Sequence, residues 1–551
     1  MKICILLPRF NKNPFVYDDK DNDKNYNYMF PLGLSYISAS LKQNNYDVNF
    51  INLNHYKGLI KDIIDCEFKK NKYDFVFTGS LSFYYPNIKD YVKYIREISP
   101  TTKIVLGGGI ISSQPTIMFN LIKPDYIVIG EGEQTVVELL KCIQTNGDLT
   151  QINGIGYINN NILIFTKPRE PILNLDSLPF PDYESCGLDE YLNHLLPTNY
   201  IGFDTFDTPR IYPLLMSRSC PFECTFCYHQ LGQKYRQRSI DNILDEIQFA
   251  VIKYKINIFT FYDELFSHDR SRIIDFCTKF NELRKTLPWV IKWNCALRVD
   301  NIDDELVKIM KNSGCFMISF GLESYSNVIL KSMKKHITPE QINNAIHIVS
   351  NNNIAIQGTF IFGDPAETLE TAQNTLNYFK HNQNILKGGV QLGFIMLFQG
   401  SPLYKYCLSN GTITNEINFI ENRASNGYIF HKPQNLTNSL SDKKFKKLKN
   451  NIMTTIYTTG YYTLPIFLTK GELHIKCPYC NNISILKNVI APTGINSQNV
   501  GCRYCNGRFY IVSKHYYIYI HLLKIIGFYN TIKLLSIISK IKNKLNFKFF
   551  S

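Results

Sequence analysis

The chain reads as an α/β protein: an N-terminal doubly wound parallel sheet, then a partial (β/α)6 barrel, then a small cysteine-braced module with helices. Three observations predict this. Short apolar runs alternate with helix-length segments over residues 1 to about 150, and again from about 211 to 405, the rhythm of parallel strands joined by helical crossovers. The second series has six such units, too few to close a barrel of eight. Near the C-terminus two C-x2-C pairs stand 21 residues apart, the spacing of a closed four-thiolate metal ribbon. With 551 residues, 45% of them hydrophobic, the chain can bury several cores.

In the first series, strands are expected at Lys2 to Leu7, Asp47 to Leu53, Phe75 to Phe77, Lys103 to Leu106 and Tyr126 to Ile129. Helices begin near Pro31, Leu59, Pro86, Gln114 and Glu133. Several strands end in permissive residues: Gly79-Ser80-Leu81-Ser82, Gly107-Gly108-Gly109 and Gly130-Glu131-Gly132-Glu133. Ligands of open α/β sheets bind at those ends, and bare backbone lets a large planar or phosphate-bearing group come close. A proline-punctuated linker, 151–210, is expected to follow, with 184–210 unassigned.

The second series opens on the apolar run Ile211 to Met216 and then the loop Ser217-Arg218-Ser219-Cys220-Pro221-Phe222-Glu223-Cys224-Thr225-Phe226-Cys227. Three thiolates at C-x3-C-x2-C spacing, Cys220, Cys224 and Cys227, can hold three corners of a 4Fe-4S cluster and leave the fourth iron open. An open iron suits a cluster that binds a substrate or cofactor.

This loop, with Phe226 before the third cysteine, resembles that of the radical S-adenosylmethionine (SAM) superfamily, and the resemblance covers roughly residues 1 to 405. It implies that the open iron is chelated by SAM, that reduction splits SAM to methionine and a 5'-deoxyadenosyl radical, and that an external electron donor is needed. The order of the N-terminal pieces, with Pro31-Leu32-Gly33-Leu34, Gly107 to Gly109 and Gly130 to Glu133, resembles the cobalamin-binding domain that precedes the radical core in one branch of that superfamily. The implied contacts are Ser80, Gly107, Gly108, Gly109 and Gly130. Many cobalamin domains carry Asp-x-His-x-x-Gly after the first strand, yet residues 1 to 54 contain no histidine. His55 follows the second strand and reads as a loop histidine, so no histidine is expected beneath the cobalt. A methylthiotransferase-like second cluster is disfavoured, because Cys4, Cys66 and Cys142 fall within a strand and helices.

Later strands are expected near Asn257 to Phe261, Ile291 to Cys295, Cys315 to Phe320, Ile354 to Phe362 and Val390 to Leu397. Polar residues at their ends become candidates for holding SAM. By the resemblance, Asp263 and Glu264 meet the methionine amino group, Arg298 forks onto its carboxylate, and Glu323 accepts from ammonium or ribose. Gly363 passes the adenine. Arg236 and Arg238 could screen the sulfides, bind substrate anions or be solvated.

A helical region is expected over 406–470, a ribbon-like module over 471–515 with zinc on Cys477, Cys480, Cys502 and Cys505, and a helix over 516–551. That last stretch carries apolar residues at helical spacing, lysines and no acidic residue. It suits an anionic membrane surface, with a helix docked on the protein as the alternative. The cysteine usage and the lack of a signal peptide point to cytoplasm. The 60 Lys and Arg against 46 Asp and Glu point weakly to anionic partners, but no aromatic-rich RNA motif is present and nucleic acid is disfavoured. The expected function is a cobalamin-dependent radical SAM enzyme that methylates or rearranges an unactivated carbon of an unidentified substrate. The alternatives are a radical SAM enzyme without cobalamin and a zinc-ribbon nucleic-acid-binding protein.

Overall fold

A computed structural model describes residues 1–10, 24, 26, 28–198, 206–426, 433–469, 471–494 and 496–545. Its N-terminal sheet has seven strands: β1 (Lys2–Leu7), β2 (Asp47–Asn52), β3 (Phe75–Gly79), β4 (Lys103–Gly107), β5 (Tyr126–Val128), β6 (Ile155–Asn159) and β7 (Ile162–Phe165). They lie in the order β2-β1-β3-β4-β5-β6-β7, parallel from β2 to β5 and antiparallel beyond. The chain starts in the middle, winds to one side and returns to the other, so β1 and β3 flank a topological switch point. The sheet therefore runs past residue 150. The first part of the expected linker is a hairpin turning on Asn160 and Asn161, both with positive φ, residues that tolerate the left-handed region well.

Alternation along β1 explains how both faces are covered. Ile3, Ile5 and Leu7 point to one face, where they join Leu41, Val136 and Leu139 from the helices Leu32–Gln43 and Glu133–Gln144. Cys4 and Leu6 point to the other, against Ile64, Val92, Ile95 and Phe119. The first face does not end at the domain: its apolar cluster continues without interruption into the barrel.

The barrel sheet has six parallel strands in chain order: Ile211–Leu214, Ile258–Phe261, Lys292–Leu297, Cys315–Glu323, Ala355–Phe362 and Val390–Phe394. Phe261 and Trp293 on its strands pack edge-on against Phe276 of the covering helix Arg270–Thr286. The edge strand Val390–Phe394 is covered by the helix Asp442–Thr459, whose Phe445 meets Phe394 at a ring separation of 6.4 Å. Two three-stranded sheets follow, pairing 462–463 with 508–512 and 497–501, and 467–469 with 472–476 and 483–487.

The single helix expected over 516–551 is two, Lys514–Ile526 and Phe528–Leu545, broken at Gly527 with φ +77. Lys548 lies outside the described residues, as does part of the unassigned 184–210 stretch. Among the described residues no helix is long and apolar enough to cross a membrane.

Candidate functional site

The C-terminal ends of the two sheets face each other. An added Cβ on Gly109, after β4, would lie 3.0 Å from Gln230 Oε1, three residues past Cys227. Ser82, after β3, donates to Gln399 Oε1 at 2.7 Å, beyond the last barrel strand.

The tightest link is a buried cluster of four charges. Arg218, two residues before Cys220, donates to Glu131 at 2.9 Å and to Glu133 at 2.6 Å. Arg236 donates to both oxygens of Glu131 at 2.8 and 2.7 Å and to Ser219 Oγ at 3.1 Å. Burial alone would raise the Glu131 carboxyl, but the two arginines and the Ile172 amide outweigh it and hold it below its ordinary range. Arg236 and Arg238, left open between three roles by the sequence, are thus both structural: Arg238 pairs with buried Glu246 at 2.5 Å.

The cysteine loop leaves a barrel strand as expected, and its entry is fixed by Asp263. That carboxylate accepts from the Met216 amide at 3.0 Å and from the amide and hydroxyl of Ser217, each at 2.5 Å. Its burial pushes it up to about 7 despite those donors. Asp263 is therefore engaged by the entry of the loop. Glu264 beside it keeps a side chain about one third exposed, within 3.4 Å of His229 Nδ1. The Nε2 of His229 is buried with no protein partner.

Arg298 is engaged within the chain as well. Its guanidinium binds Asp300 at 2.8 Å and the Lys335 carbonyl at 3.0 Å, and stacks 3.7 Å from the centre of the Phe222 ring. It braces the loop and does not present a free fork. Phe226 packs against Met333, Leu403 and Tyr404, and Tyr228 occupies space that a Cβ on Gly400 would enter at 2.5 Å.

Lys335 was not singled out by the sequence. It is buried, 2.9 Å from Glu323 Oε1, and its charge lowers the thiols of Cys220, Cys224 and Cys227 against the upward push of burial. Burial, helped by Glu264, still leaves Cys227 at about 12. A Cβ on Gly321 would lie 2.4 Å from the Lys335 ammonium, so the bare residue in Gly321-Leu322-Glu323 admits the pair. Glu323 itself has φ +58, strained for a non-glycine residue. Gly363, with φ +100, faces Phe445 at 3.8 Å from its added Cβ and donates its amide to Glu367.

At the N-terminal sheet, Gly108 has φ +82 beside the Ser80 carbonyl, and Gly107 supports Gly79 across the strands. Gly130, with φ +81, has nothing within 4 Å of an added Cβ. These turns put backbone at the C-terminal ends of β3, β4 and β5, where ligands of open α/β sheets bind, which fits a large nucleotide-bearing ligand. His55 lies on the short turn after β2, as expected, but is buried, with Nε2 2.9 Å from Tyr28 Oη and Gly187 against Nδ1. Burial lowers it to about 4.

Among the described residues, the group of metal-ligating side chains gathered for a single ion is Cys477, Cys480, Cys502 and Cys505, whose sulfurs all lie within 4.8 Å of one another. Cys220, Cys224 and Cys227 are outside it. In the C-terminal group, Cys477 to Cys505 and Cys480 to Cys502 are both 3.7 Å apart. Tetrahedral zinc with bonds of about 2.3 Å sets sulfurs roughly 3.8 Å apart, so the cage fits zinc. The module sits on the floor of the barrel. The Arg508 amide donates to the Lys387 carbonyl at 2.7 Å and the Asn506 side chain to the Asn353 carbonyl at 2.7 Å. Lys387 and Asn353 precede barrel strands, at the end opposite the cysteine loop.

Two family descriptions match this chain: "B12 binding domain" over residues 22–140 and "Radical SAM superfamily" over 214–379. An uncharacterized methyltransferase of Pyrococcus horikoshii is 28% identical over 391 residues, covering 70% of this chain and 79% of that protein. The cytidylyl-2-hydroxyethylphosphonate methyltransferase of Streptomyces wedmorensis is 24% identical, with the same two coverages. Among solved structures, the radical SAM methyltransferase TsrM of Kitasatospora setae superposes with a TM-score of 0.59 at 16% identity, covering 74% of this chain and 76% of TsrM. The cobalamin-dependent radical enzyme OxsB gives 0.57 at 21%, covering 76% of this chain and 56% of its own. The fold is theirs. The chain carries a B12-binding domain ahead of a radical SAM domain.

Proposed function

We propose that this enzyme uses SAM and cobalamin to methylate an unactivated carbon. The observation that carries this reading is the Glu131, Glu133, Arg218 and Arg236 cluster, which ties the glycine turn of the B12-binding sheet to the segment that leads into Cys220. When bound, an iron-sulfur cluster would pass on the electron that cleaves SAM, and cobalamin would supply a methyl carrier.

The chain's own residues do the positioning. Cys220, Cys224 and Cys227 hold the cluster, and Lys335 offsets the charge of their thiolates. Glu264, through its exposed carboxylate, is the acidic residue left to meet the methionine amino group. Glu323 and Gly363 border the rest of the SAM site. Ser80, Gly107, Gly108, Gly109 and Gly130 receive the cobalamin tail. The barrel mouth beneath the B12-binding sheet excludes water from the reacting groups. The partners this reading needs are a substrate, an external electron donor, and an anionic partner for the basic C-terminal end.

Anaerobic reconstitution tests it. The wild type should show cluster absorption with bound corrinoid, and should release deoxyadenosine and S-adenosylhomocysteine. Cys220→Ala, Cys224→Ala and Cys227→Ala should each abolish iron binding and SAM cleavage while retaining the fold. Full retention of either in one variant removes the cluster assignment, and a wild type without corrinoid removes cobalamin.

A further inference from the structure

The positive charge of this chain is not spread along it. Residues 442–551 hold 17 of the 60 Lys and Arg but only Asp442 and Glu472 of the 46 acidic residues, leaving the preceding 441 residues with 43 basic and 44 acidic. Much of that charge sits on three helices: Asp442–Thr459, Lys514–Ile526 and Phe528–Leu545.

These helices have an inner face that is fully used. Phe445, Leu448, Ile452, Tyr519, Ile520 and Leu523 are buried in the main core. The turn at Gly527 is clamped, since the Phe528 amide donates to Thr454 Oγ1 and the Tyr529 amide to Asn450 Oδ1, both at 3.1 Å. Phe528 stacks on Tyr457 with 7° between the rings. The docked alternative for this end of the chain is therefore correct for one face, and the other face remains.

That outer face carries aliphatic groups that the fold leaves in water. Ile518 is 61% exposed and Ile525 78%, seven residues apart on one helix, and Ile532 on the next helix is 43% exposed. Lys514, Lys524 and Lys533 stand exposed among them, with four more exposed lysines on the Asp442–Thr459 helix. Leaving isoleucines exposed between lysines costs apolar hydration and gains nothing within the chain.

We infer that this face docks on an anionic lipid bilayer, the isoleucines entering the acyl boundary and the lysines meeting the headgroups. Two weak signals of different kinds, apolar insertion and polybasic attraction, make a reversible peripheral contact together. Nucleic acid would use the lysines but leave Ile518 and Ile525 without a role, and a second copy of the same face would be repelled by its charge. The inference identifies the anionic partner of the reading above, and is independent of the radical chemistry.

The test is co-sedimentation of the full-length protein with vesicles of phosphatidylcholine, with and without about one quarter phosphatidylglycerol. Binding should be at least about tenfold stronger to the anionic vesicles and should be released near 0.5 M salt, where screening is nearly complete at a few ångströms. The double variant Ile518→Glu and Ile525→Glu should lose at least about tenfold in binding while keeping its zinc and its unfolding midpoint, because both side chains are solvent-facing. Equal binding to neutral vesicles, or unchanged binding by the double variant, overturns the inference. So does single-stranded RNA bound in place of vesicles, or a dimer broken by Ile525→Glu without any vesicle binding. The readout needs neither cluster nor corrinoid, so failure of the proposed chemistry leaves it standing.

Discussion

Glu131 accepts from two arginines at once and lies almost wholly out of water. Removing its charge strands both guanidinium groups, and breaking such a buried pair typically costs about 3–5 kcal/mol. Glu131→Gln should therefore lower the thermal midpoint. It should also slow methyl transfer from SAM to cobalamin at least about tenfold while iron and corrinoid still bind, because the turn and the loop lose their fixed relation. Visible spectra of the loaded variant check the second effect, and methyl loading at the wild-type rate would limit Glu131 to stability. At His55 the sign runs through pH. The unfolded imidazole takes a proton near 6.5 and the folded one only near 4. The unfolded state thus binds more protons across that window, and stability falls as the pH drops from 6.5 to 4. His55→Gln should flatten that slope in urea titrations, and should leave the reduced-cobalt resonance spectrum without any change in axial nitrogen splitting.

The elements divide into those that periodicity could place and those it could not. Parallel strands buried on both faces read as short continuous apolar runs, so both sheets and the cysteine loop were legible in the sequence. The β6 and β7 hairpin was not, since its exposed Ile158 and Ile162 look like a polar-flanked linker. The roles of Asp263 and Arg298 were hidden for a different reason: a charge at a strand end looks the same whether it faces a ligand or its own loop. Lys334 and Lys335 are adjacent, and only the fold shows which one turns inward. The ribbon was fully legible, because its four ligands come as two fixed turns. Cys477→Ser should release zinc and lower the unfolding midpoint of the C-terminal module, while deoxyadenosine release per bound cluster stays within about twofold, since the cage lies at the far end of the barrel strands. Metal analysis of the triple Cys220, Cys224 and Cys227 alanine variant should still return about one zinc per chain; its loss there would join the two centres.

At the scale of the molecule, the apolar cluster that lines one face of the N-terminal sheet is the same cluster that packs the barrel sheet against its helices. No solvent layer separates them, so neither half has a complete interior alone. Expressed separately, residues 1–165 would lose Tyr183 and Tyr191, which pack on Phe30 and, through Tyr183, reach Tyr212 of the first barrel strand, and would aggregate. The same continuity constrains anyone who builds hybrids from this branch. A B12-binding sheet borrowed from a relative brings the right turns but the wrong underside, and the graft will fold only when the interlocking side chains are transplanted as a set.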